Sequence, residues 1–333
     1  MVTKIRVIQI GLGYIGLAVT QILAERKGYK LVAAVDINPD LIGRDLGELA
    51  GISGRLGVSV SGSVSEALSA TRSDVAVLTT TSRMEGITPQ VLELAGHGLR
   101  VVSTCEELVY PWRTHPELAR QIDNAARDKG ATVLSTGVNP GFLMDFLPMV
   151  LTRIARRVDA VRVERVQDAG TRREAFQRKV GAGLSVKQFD QRVAAGSASW
   201  RISHAGLTAS VELLVVGLGW QLEEVTETIE PVIARSSQRT DHVGIEAGQV
   251  AGVNQASRGM RGGQEAITLN FRAAVGEPES FDRIRIEGEP ALEATFPAGV
   301  PGDVATGAVT VSAMPLVIKS KPGLRTMADL WPM

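Results

Sequence analysis

The chain has 333 residues, which is too long for one ordinary domain and sufficient for two. Its 36 basic and 36 acidic residues balance to a formal net charge of zero, which favours neither a nucleic-acid surface nor an acidic partner, so we expect a small-molecule ligand. The single cysteine, Cys105, excludes an internal disulfide and a cysteine-rich zinc site, and it is typical of a cytoplasmic protein.

Membrane and metal sites are not indicated either. The longest apolar run, VELLVVGLGW, is too short to span a bilayer, and the N-terminal residues run into a strand-like pattern without an apolar targeting segment. No group of His, Cys, Asp or Glu residues has metal-ligand spacing along the chain. We therefore predict no metal, no membrane partner and a cytoplasmic location.

From residue 4 to about residue 140, short apolar runs rich in β-branched residues alternate with stretches of helical period. This alternation is typical of a parallel sheet covered by helices on both faces. Strands are predicted at 5–10, 30–35, 57–60, 74–79, 99–104 and 131–136, with helices at about 14–27, 63–71, 88–96 and 116–129. The pattern predicts an α/β fold for residues 1–140, with a doubly wound parallel sheet.

After residue 140 the pattern changes to period-two alternation, as in AVRVERVQ and AITLNFRAAV, which is typical of a mostly antiparallel sheet with one covered face. A long helix is predicted at 203–218, and AGQVAGVNQASRGMRGGQ is predicted to be a glycine-rich connection. We therefore expect a second, α+β domain over 141–302. The remainder, 303–333, is predicted to pack back on the first domain as a helix that ends at Pro322-Gly323.

The segment IQIGLGYIG places glycines in GxGxxG spacing between a predicted strand and a predicted helix. In a dinucleotide site the first glycine makes the turn, the second admits the pyrophosphate and the third lets helix meet sheet. The second strand ends at Asp36, about twenty residues further on, where a carboxylate can bind the ribose. The cofactor contacts predicted here are Gly11, Leu12, Gly13, Tyr14, Ile15, Gly16 and Asp36.

Asp36 also bears on which dinucleotide binds. A carboxylate would repel a 2′-phosphate and so favours NAD, while Arg44 in the following segment leaves NADP open. The fourth and fifth strands run into TTTS and STCEE, at the edge of the sheet where ligands bind. We predict further cofactor contacts from Thr79, Thr80, Thr81, Ser103, Thr104 and Cys105. Capping of the next helix or turn explains each hydroxyl equally well.

Two carboxylates, Glu106 and Glu107, follow the fifth strand. Thr104-x-x-Glu107 has the spacing of a capping box, but Pro111 would leave such a helix only about one turn. A glutamate at this edge could instead transfer protons at the nicotinamide. These residues by themselves leave both explanations open.

A second charged position lies in AVRVERVQ, where strand alternation puts Arg165 and Gln167 on the same face as Val161 and Val163. A buried guanidinium needs a partner. Arg165 is therefore predicted to form either an internal ion pair or a contact to a substrate.

The segments GLGYIG, STCEELVYPW, HPELARQIDNAARDKGATVLSTGVNPGFLMD, KVGAGLSVKQF and KPGLRTMADL together resemble the family of 2,4-diaminopentanoate dehydrogenase and native amine dehydrogenases, over nearly the whole chain. The resemblance implies a Rossmann domain, a second domain that shapes the pocket, and usually a homodimer. It implies oxidative deamination of a small amine with NAD or NADP, and in reverse amination of a ketone or aldehyde with ammonia. It places the acid/base at Glu107, with Glu106 as the second choice, and Asn139 beside the nicotinamide.

The substrate pocket is predicted at Phe142, Arg165, Gln167, Phe176, His204, Asn254 and Thr306. His204, near the start of a helix, is also typical of a structural histidine. Gln167 stands where 2,4-diaminopentanoate dehydrogenase has asparagine, and DAGTRREAFQRK departs from that enzyme, so the amine stays open. Two further functions remain. One is a hydroxyl or semialdehyde dehydrogenase of the same architecture, similar to homoserine dehydrogenase, and the other is an NAD-binding sensor without turnover.

Overall fold

The structure, a computed structural model, describes residues 4–194 and 207–330. The chain divides into two compact units. The first unit contains Met1–Phe142 and Pro301–Met333, and the second contains Leu143–Val300. The second unit is thus a continuous insertion into the first.

A seven-stranded parallel sheet forms the first unit. Its strands are β1 (Ile5–Ile10), β2 (Tyr29–Val35), β3 (Val60–Ser61), β4 (Val75–Leu78), β5 (Arg100–Ser103), β6 (Thr132–Ser135) and β15 (Gly323–Arg325), in the order β15-β6-β5-β4-β1-β2-β3. The central strands are buried because helices cover both faces, as their continuous apolar runs indicate. The predicted doubly wound α/β fold is confirmed.

The helices of the first unit are α1 (Tyr14–Glu25), α2 (Leu46–Leu49), α3 (Val64–Ser69), α4 (Met84–Gly96), α5 (Pro116–Asp128), α10 (Gly302–Lys319) and α11 (Met327–Leu330). The core between the sheet and α4 and α5 is apolar, while α10 packs against α1, where Gly307 lies close to Ile22. The last long helix ends at Lys319, short of the predicted Pro322, and β15 follows it beside β6. Proline removes an amide donor and cannot continue a helix.

A six-stranded sheet forms the second unit. Its strands are β7 (Arg157–Asp168), β8 (Glu224–Ile233), β11 (Val250–Arg261), β12 (Gln264–Ala274), β13 (Phe281–Glu289) and β14 (Leu292–Phe296), in the order β14-β13-β7-β12-β11-β8. All neighbours are antiparallel except β7 and β12. A separate two-stranded pair is made by β9 (Gln238–Arg239) and β10 (Gly244–Ile245). The expected mostly antiparallel sheet is confirmed.

The second unit also contains α6 (Phe146–Leu151), α7 (Glu174–Lys179), α8 (Val186–Ala194) and α9 (Leu207–Leu218). Helix α9 packs on β11 and β12, and α6 packs on α9 and β13. A Cβ on Gly217 would lie only 1.8 Å from Met149 Sδ, so this glycine permits the α6–α9 contact. Of the predicted helix 203–218, the part before residue 207, including His204, lies outside the described residues.

One prediction for the second unit is wrong. The glycine-rich segment around residues 250–261 is the twelve-residue strand β11, not a connection. A Cβ on Gly252 would lie 2.0 Å from the Ala273 carbonyl oxygen, and one on Gly259 would lie 2.5 Å from Leu222 Cδ1. These glycines admit close neighbours inside a sheet, which is a use of glycine that sequence alone does not separate from a loop.

Among the described residues, no helix combines the length and the apolar character that a membrane crossing requires.

Candidate active site

The glycine loop between β1 and α1 has the backbone that a dinucleotide site requires. Gly11 has φ of +83°, and a Cβ on Gly16 would lie 1.9 Å from the Gly11 carbonyl oxygen. Gly13 differs, because a Cβ there would meet no atom within 4 Å. The first and third glycines therefore shape the turn, and the second faces open space that a ligand can approach.

A buried polar network supports this loop from below. Gln9 Nε2 donates to Thr79 Oγ1 at 2.9 Å and to the Gly11 carbonyl at 3.1 Å, and Thr79 Oγ1 is 2.8 Å from the same carbonyl. Gln9 is fully buried. The Thr79 hydroxyl therefore supports the glycine loop, and Gln9 is a supporting residue that sequence reasoning missed. A glutamine inside an apolar strand was the available signal.

Asp36 directly follows β2 beside the loop and is half-buried. Its Oδ2 accepts from the Leu12 amide at 2.7 Å, and its Oδ1 accepts from the Asn38 amide at 2.9 Å. Each carboxylate oxygen has two lone pairs, so acceptor capacity remains for ribose hydroxyls.

Asp36 lines a cavity of about 430 Å³. Its wall comprises Ile10, Gly11, Gly13, Val35, Asp36, Ile37, Gly62, Ser63, Val64, Leu78, Thr79, Thr80, Gln90, Glu93 and Leu94. Five predicted cofactor contacts are among them, whereas the buried Leu12, the exposed Tyr14 and the half-buried Ile15 are not. The apolar wall, the carboxylate and the open glycine fit the adenosine half of a dinucleotide.

Sequence reasoning missed the far side of this cavity, where Gly62, Ser63 and Val64 lie. Ser63 Oγ accepts from the Glu66 amide at 3.2 Å, and Glu66 Oε2 accepts from the Gly62 amide at 3.0 Å. These two bonds at the start of α3 fix the wall, and they differ from a capping box only in that Glu66 accepts from the residue before the N-cap. The S-x-x-E spacing in SGSVSEA was a readable signal for these bonds.

The polar residues that follow β4 and β5 divide between two roles. Thr80 lines the cavity and its hydroxyl donates to Gln90 Oε1 at 2.9 Å, while Thr81 Oγ1 accepts from the Arg83 amide at 3.3 Å. Ser103 is fully buried and its hydroxyl donates to the Leu78 carbonyl at 3.1 Å. Burial raises the pKa of the Cys105 thiol to about 12. Ser103 and Cys105 therefore support the sheet edge and do not line the cavity.

Glu106 and Glu107 begin a short 3₁₀ turn, Glu106–Leu108, directly after β5. Glu107 Oε2 accepts from the Met84 amide at the start of α4 at 2.7 Å, and the Glu107 amide donates to the Ser82 carbonyl at 3.2 Å. The N-cap of the turn is Cys105, which makes no side-chain cap bond. The capping-box explanation is therefore wrong for the turn itself, because Glu107 caps a different helix.

Three titratable groups meet beside this contact. His115 Nε2, at the start of α5, is 3.9 Å from Glu107 Oε2 and 3.8 Å from Glu85 Oε1. Sequence spacing could not reveal this cluster because three elements contribute to it. Its atoms lie close enough to hold a cation, but we assign it no metal. The reason is that positive charge is already present there, because the Arg83 guanidinium is 3.6 Å from Glu85 and the N-terminus of α4 carries a partial positive charge.

The loop after β6 carries Asn139, which is 5% exposed. Thr306 Oγ1, in the second turn of α10, accepts from the Val138 amide at 3.2 Å. Thr306, a predicted pocket residue, thus supports the loop that carries Asn139. Phe142 is half-buried at the last position of the first unit before the insertion.

In the second unit, Arg165 and Asp282 are paired residues on neighbouring strands and both are buried. Arg165 Nη1 is 3.6 Å from Asp282 Oδ1. Burial lowers the pKa of Arg165 to about 10 and raises the pKa of Asp282, while each charge opposes the shift of the other. Of the two explanations left open for Arg165, the structure shows the internal ion pair.

This pair also holds one peptide group. Arg165 Nη2 donates to the Val300 carbonyl at 2.8 Å, and the Val300 amide donates to Asp282 Oδ2 at 2.6 Å. Gln167 Nε2 donates to the same carbonyl at 3.3 Å. Val300 is the last residue of the second unit, so the three side chains fix the point at which the chain leaves that unit.

The other predicted pocket residues of the second unit separate into two places. The Arg172 guanidinium lies 4.5 Å from the centre of the Phe176 ring and donates to Gln167 Oε1 at 3.1 Å, so these residues adjoin the buried pair. Asn254 pairs with Arg272 and faces away from Arg165, whose row across the sheet contains Gln255. Asn254 therefore cannot share a surface of this sheet with Arg165 and Gln167.

Two family models match this chain. The model of the 2,4-diaminopentanoate dehydrogenase C-terminal domain matches residues 142–333, which is more than half of the chain. The chain belongs to this family. The model of the dihydrodipicolinate reductase N-terminus matches residues 5–104. The predicted resemblance is confirmed, and the protein is an oxidoreductase with an NAD-binding Rossmann-type unit.

Named relatives are similar over almost their whole length. A 2,4-diaminopentanoate dehydrogenase of Acetoanaerobium sticklandii is 28% identical, and the match covers 98% of this chain and 93% of the relative. An amine dehydrogenase of Streptomyces virginiae is 23% identical over 96% of this chain and 94% of its own. The solved structure of an amine dehydrogenase from Mycobacterium smegmatis has a TM-score of 0.86 and 28% identity, with 99% and 97% coverage.

Proposed function

We propose that this protein is an NAD-dependent amine dehydrogenase, which oxidises a small amine to a carbonyl compound and, in reverse, aminates a ketone or aldehyde with ammonia. The observation that carries the proposal is the arrangement of two neighbouring strand ends. Leu78 at the end of β4 pairs with Ser103 at the end of β5. The cofactor cavity adjoins the first strand end, and the glutamate turn follows the second. The family and its amine-oxidising relatives support the same reaction.

The dinucleotide supplies the hydride acceptor, or the hydride donor in the reverse direction. The Gly11–Gly16 loop would hold its pyrophosphate against the N-terminus of α1, and Asp36 would accept hydrogen bonds from the ribose. A glutamate of the turn would take the proton of the substrate ammonium and direct water to the oxidised carbon. By resemblance Glu107 is the first choice for this role and Glu106 the second.

We propose NAD as the preferred cofactor. The carboxylates of Asp36 and Glu93 line the cavity, and among the described residues no lysine or arginine does. Arg44, which left NADP open, is not part of the wall, and its carbonyl accepts from the Val60 amide. A 2′-phosphate near Asp36 would meet negative charge without a compensating cation.

A homodimer and a cytoplasmic location stay predictions. The face of the second-unit sheet that carries Arg162 and Glu164 also carries Arg283 and Arg285. These side chains are half-buried or exposed, and the face carries both signs of charge, with Glu164 opposite Arg283; we infer that a second copy contacts this face. Sedimentation velocity of the purified chain measures this directly.

The deciding experiment measures NADH and NADPH consumption with a panel of small ketones, aldehydes and keto acids, each with and without ammonia. Consumption that needs ammonia, and that is faster with NADH, is the expected result. Consumption that is indifferent to ammonia would show a hydroxyl or semialdehyde dehydrogenase instead. NADH that binds but is never consumed would show the sensor function.

A further inference from the structure

The cavity beside the glycine loop is lined from both sides of β1. Asp36 directly follows β2, whereas Gln90, Glu93 and Leu94 belong to α4, which follows β4 in the chain. In the sheet, β1 lies between β2 and β4. The cavity therefore extends from the carboxylate of Asp36 on one side of β1 to helix α4 on the other.

The polar side chains of this cavity differ in what they already bind. Hydrogen bonds within the protein are made by Asp36, Ser63, Thr79, Thr80 and Gln90. The Glu93 carboxylate lines the same cavity, but no residue within 4–194 and 207–330 forms a hydrogen bond or an ion pair with it. Its two oxygens therefore have no protein partner that would compete with a ligand.

The wall also includes the apolar side chains of Ile37, Val64 and Leu94. Apolar walls with a few polar groups suit the flat faces of a nucleotide base. An adenosine whose ribose hydroxyls bind Asp36 carries its base on that same ribose, so the base occupies the remaining space of the cavity. The edge of the base that faces α4 then meets the Glu93 carboxylate.

One group on the edge of adenine suits a carboxylate. The 6-amino group of adenine donates hydrogen bonds, whereas its ring nitrogens accept them. An ionised carboxylate accepts hydrogen bonds and cannot donate them. We propose that Glu93 selects adenine in the cofactor by accepting a hydrogen bond from the 6-amino group. The proposal rests on the proposed function, because it needs a dinucleotide in this cavity.

The test compares NADH with reduced nicotinamide hypoxanthine dinucleotide. Hypoxanthine has a 6-oxo group, an acceptor that the Glu93 carboxylate would repel, while the riboses, phosphates and nicotinamide of the two ligands are the same. The wild type should bind NADH about tenfold more tightly, equivalent to about 1.4 kcal/mol. Titrations that follow nicotinamide fluorescence, without amine or ammonia, give both dissociation constants.

Two substitutions of Glu93 should remove this preference. The side-chain amide of Glu93→Gln can accept from a 6-amino group or donate to a 6-oxo group, and Glu93→Ala can do neither. The ratio of the two dissociation constants should therefore fall from about tenfold to less than about threefold in each variant. Loss of the Glu93 charge strengthens the binding of both anionic ligands alike, so it cancels in the ratio.

Glu117→Gln is the matched control, because it removes the same charge from an exposed residue of α5 that pairs with Arg120 and does not line the cavity. Its ratio should equal that of the wild type. A wild type that binds both dinucleotides equally would overturn the proposal. So would a ratio that Glu93→Gln and Glu93→Ala leave unchanged.

The binding ratio and the ammonia-dependent reaction fail separately. If the ratio falls in the Glu93 variants but no NADH consumption needs ammonia, the proposed function is wrong and the assignment of Glu93 stands. If consumption needs ammonia but the ratio does not change, the assignment of Glu93 is wrong and the proposed function stands. A chain that binds neither dinucleotide would overturn both.

Discussion

Carboxylates of the two units have opposite surroundings. In the first unit, Asp36 lies at the end of a parallel strand, accepts from loop amides and lines a cavity. In the second unit, Asp282 is fully buried, faces Arg165 and accepts from the Val300 amide. Asp36 therefore keeps oxygen lone pairs that a ligand can reach, whereas no lone pair of Asp282 is accessible to solvent. The fully buried Asp282 therefore has a structural role, because its partners are all within the protein. The half-buried Asp36, at a strand end, is instead placed to bind a ligand.

The largest effect should come from breaking the buried pair. Arg165→Met leaves the Asp282 charge without its cationic partner and removes a donor from the Val300 carbonyl. The free energy of unfolding should fall by about 3–5 kcal/mol, measured by urea denaturation. The double variant Arg165→Met/Asp282→Leu also removes the unpaired charge of Asp282 and should recover part of the lost free energy of unfolding. A double variant less stable than Arg165→Met would contradict this account.

The same variant has a predicted pH dependence. Burial raises the pKa of Asp282, and the Arg165 charge opposes that rise. Removing Arg165 therefore raises this pKa further. An acid with a raised pKa in the folded state stabilises the fold at low pH and loses that contribution as pH rises through the folded pKa. The deficit of Arg165→Met relative to wild type should be smaller at about pH 5 than at about pH 8. A deficit that is the same at both would argue against a charged Asp282.

In the first unit, two substitutions in the glycine loop can be compared directly. Gly16→Ala brings a methyl group against the Gly11 carbonyl and should lower the free energy of unfolding by about 1–3 kcal/mol or more. Gly13→Ala enters open space and should leave stability unchanged while weakening NADH binding. Thermal unfolding and a fluorescence titration with NADH measure the two effects. Equal stability of both variants would contradict the assigned roles.

A smaller effect is expected from the charge of Asp36. Asp36→Asn keeps acceptor oxygen for the Leu12 amide but removes the repulsion of a 2′-phosphate. The ratio of kcat/KM for NADPH to that for NADH should rise about tenfold, equivalent to about 1.4 kcal/mol. An unchanged ratio would mean that another group sets the cofactor preference.

The smallest effect should arise on the outer face of the strand that carries Arg165. Glu164 lies 3.7 Å from Arg283 and 3.8 Å from Arg285 on that face. Such pairs contribute about 0–1 kcal/mol, so Glu164→Gln should barely change the unfolding midpoint of the monomer. If the face joins two copies, the same variant should weaken the dimer in sedimentation experiments at low protein concentration.

The features that sequence predicted are those that short spacings encode. The glycine loop and Asp36 are fixed by about twenty-five residues of chain, and the alternation of strands and helices by a local period. The partners of Glu107 and Arg165, in contrast, are distant in sequence. Met84 lies 23 residues before Glu107, and Asp282 reaches Arg165 only through the register of β13 against β7. No local pattern specifies those contacts.

The misassigned strand β11 shows a second limit. Its glycines resemble those of a loop in sequence, yet Gly252 and Gly259 are required by close neighbours on other elements. The capping box of Thr104 and Glu107 failed for a related reason. The glutamate caps a helix, as its residue type predicts, but the helix begins elsewhere in the chain.

The hydrogen bonds that Val300 makes with the side chains of Arg165, Gln167 and Asp282 have a consequence for protein engineering. Leu143–Val300 enters and leaves the first unit at two peptide bonds, and the exit residue is held by side chains of its own unit. A chimera that exchanges this segment between relatives should therefore take its boundary after Val300, and should transfer Arg165, Gln167 and Asp282 as a set. A junction placed a few residues before Val300 would separate Val300 from the three side chains that hold it.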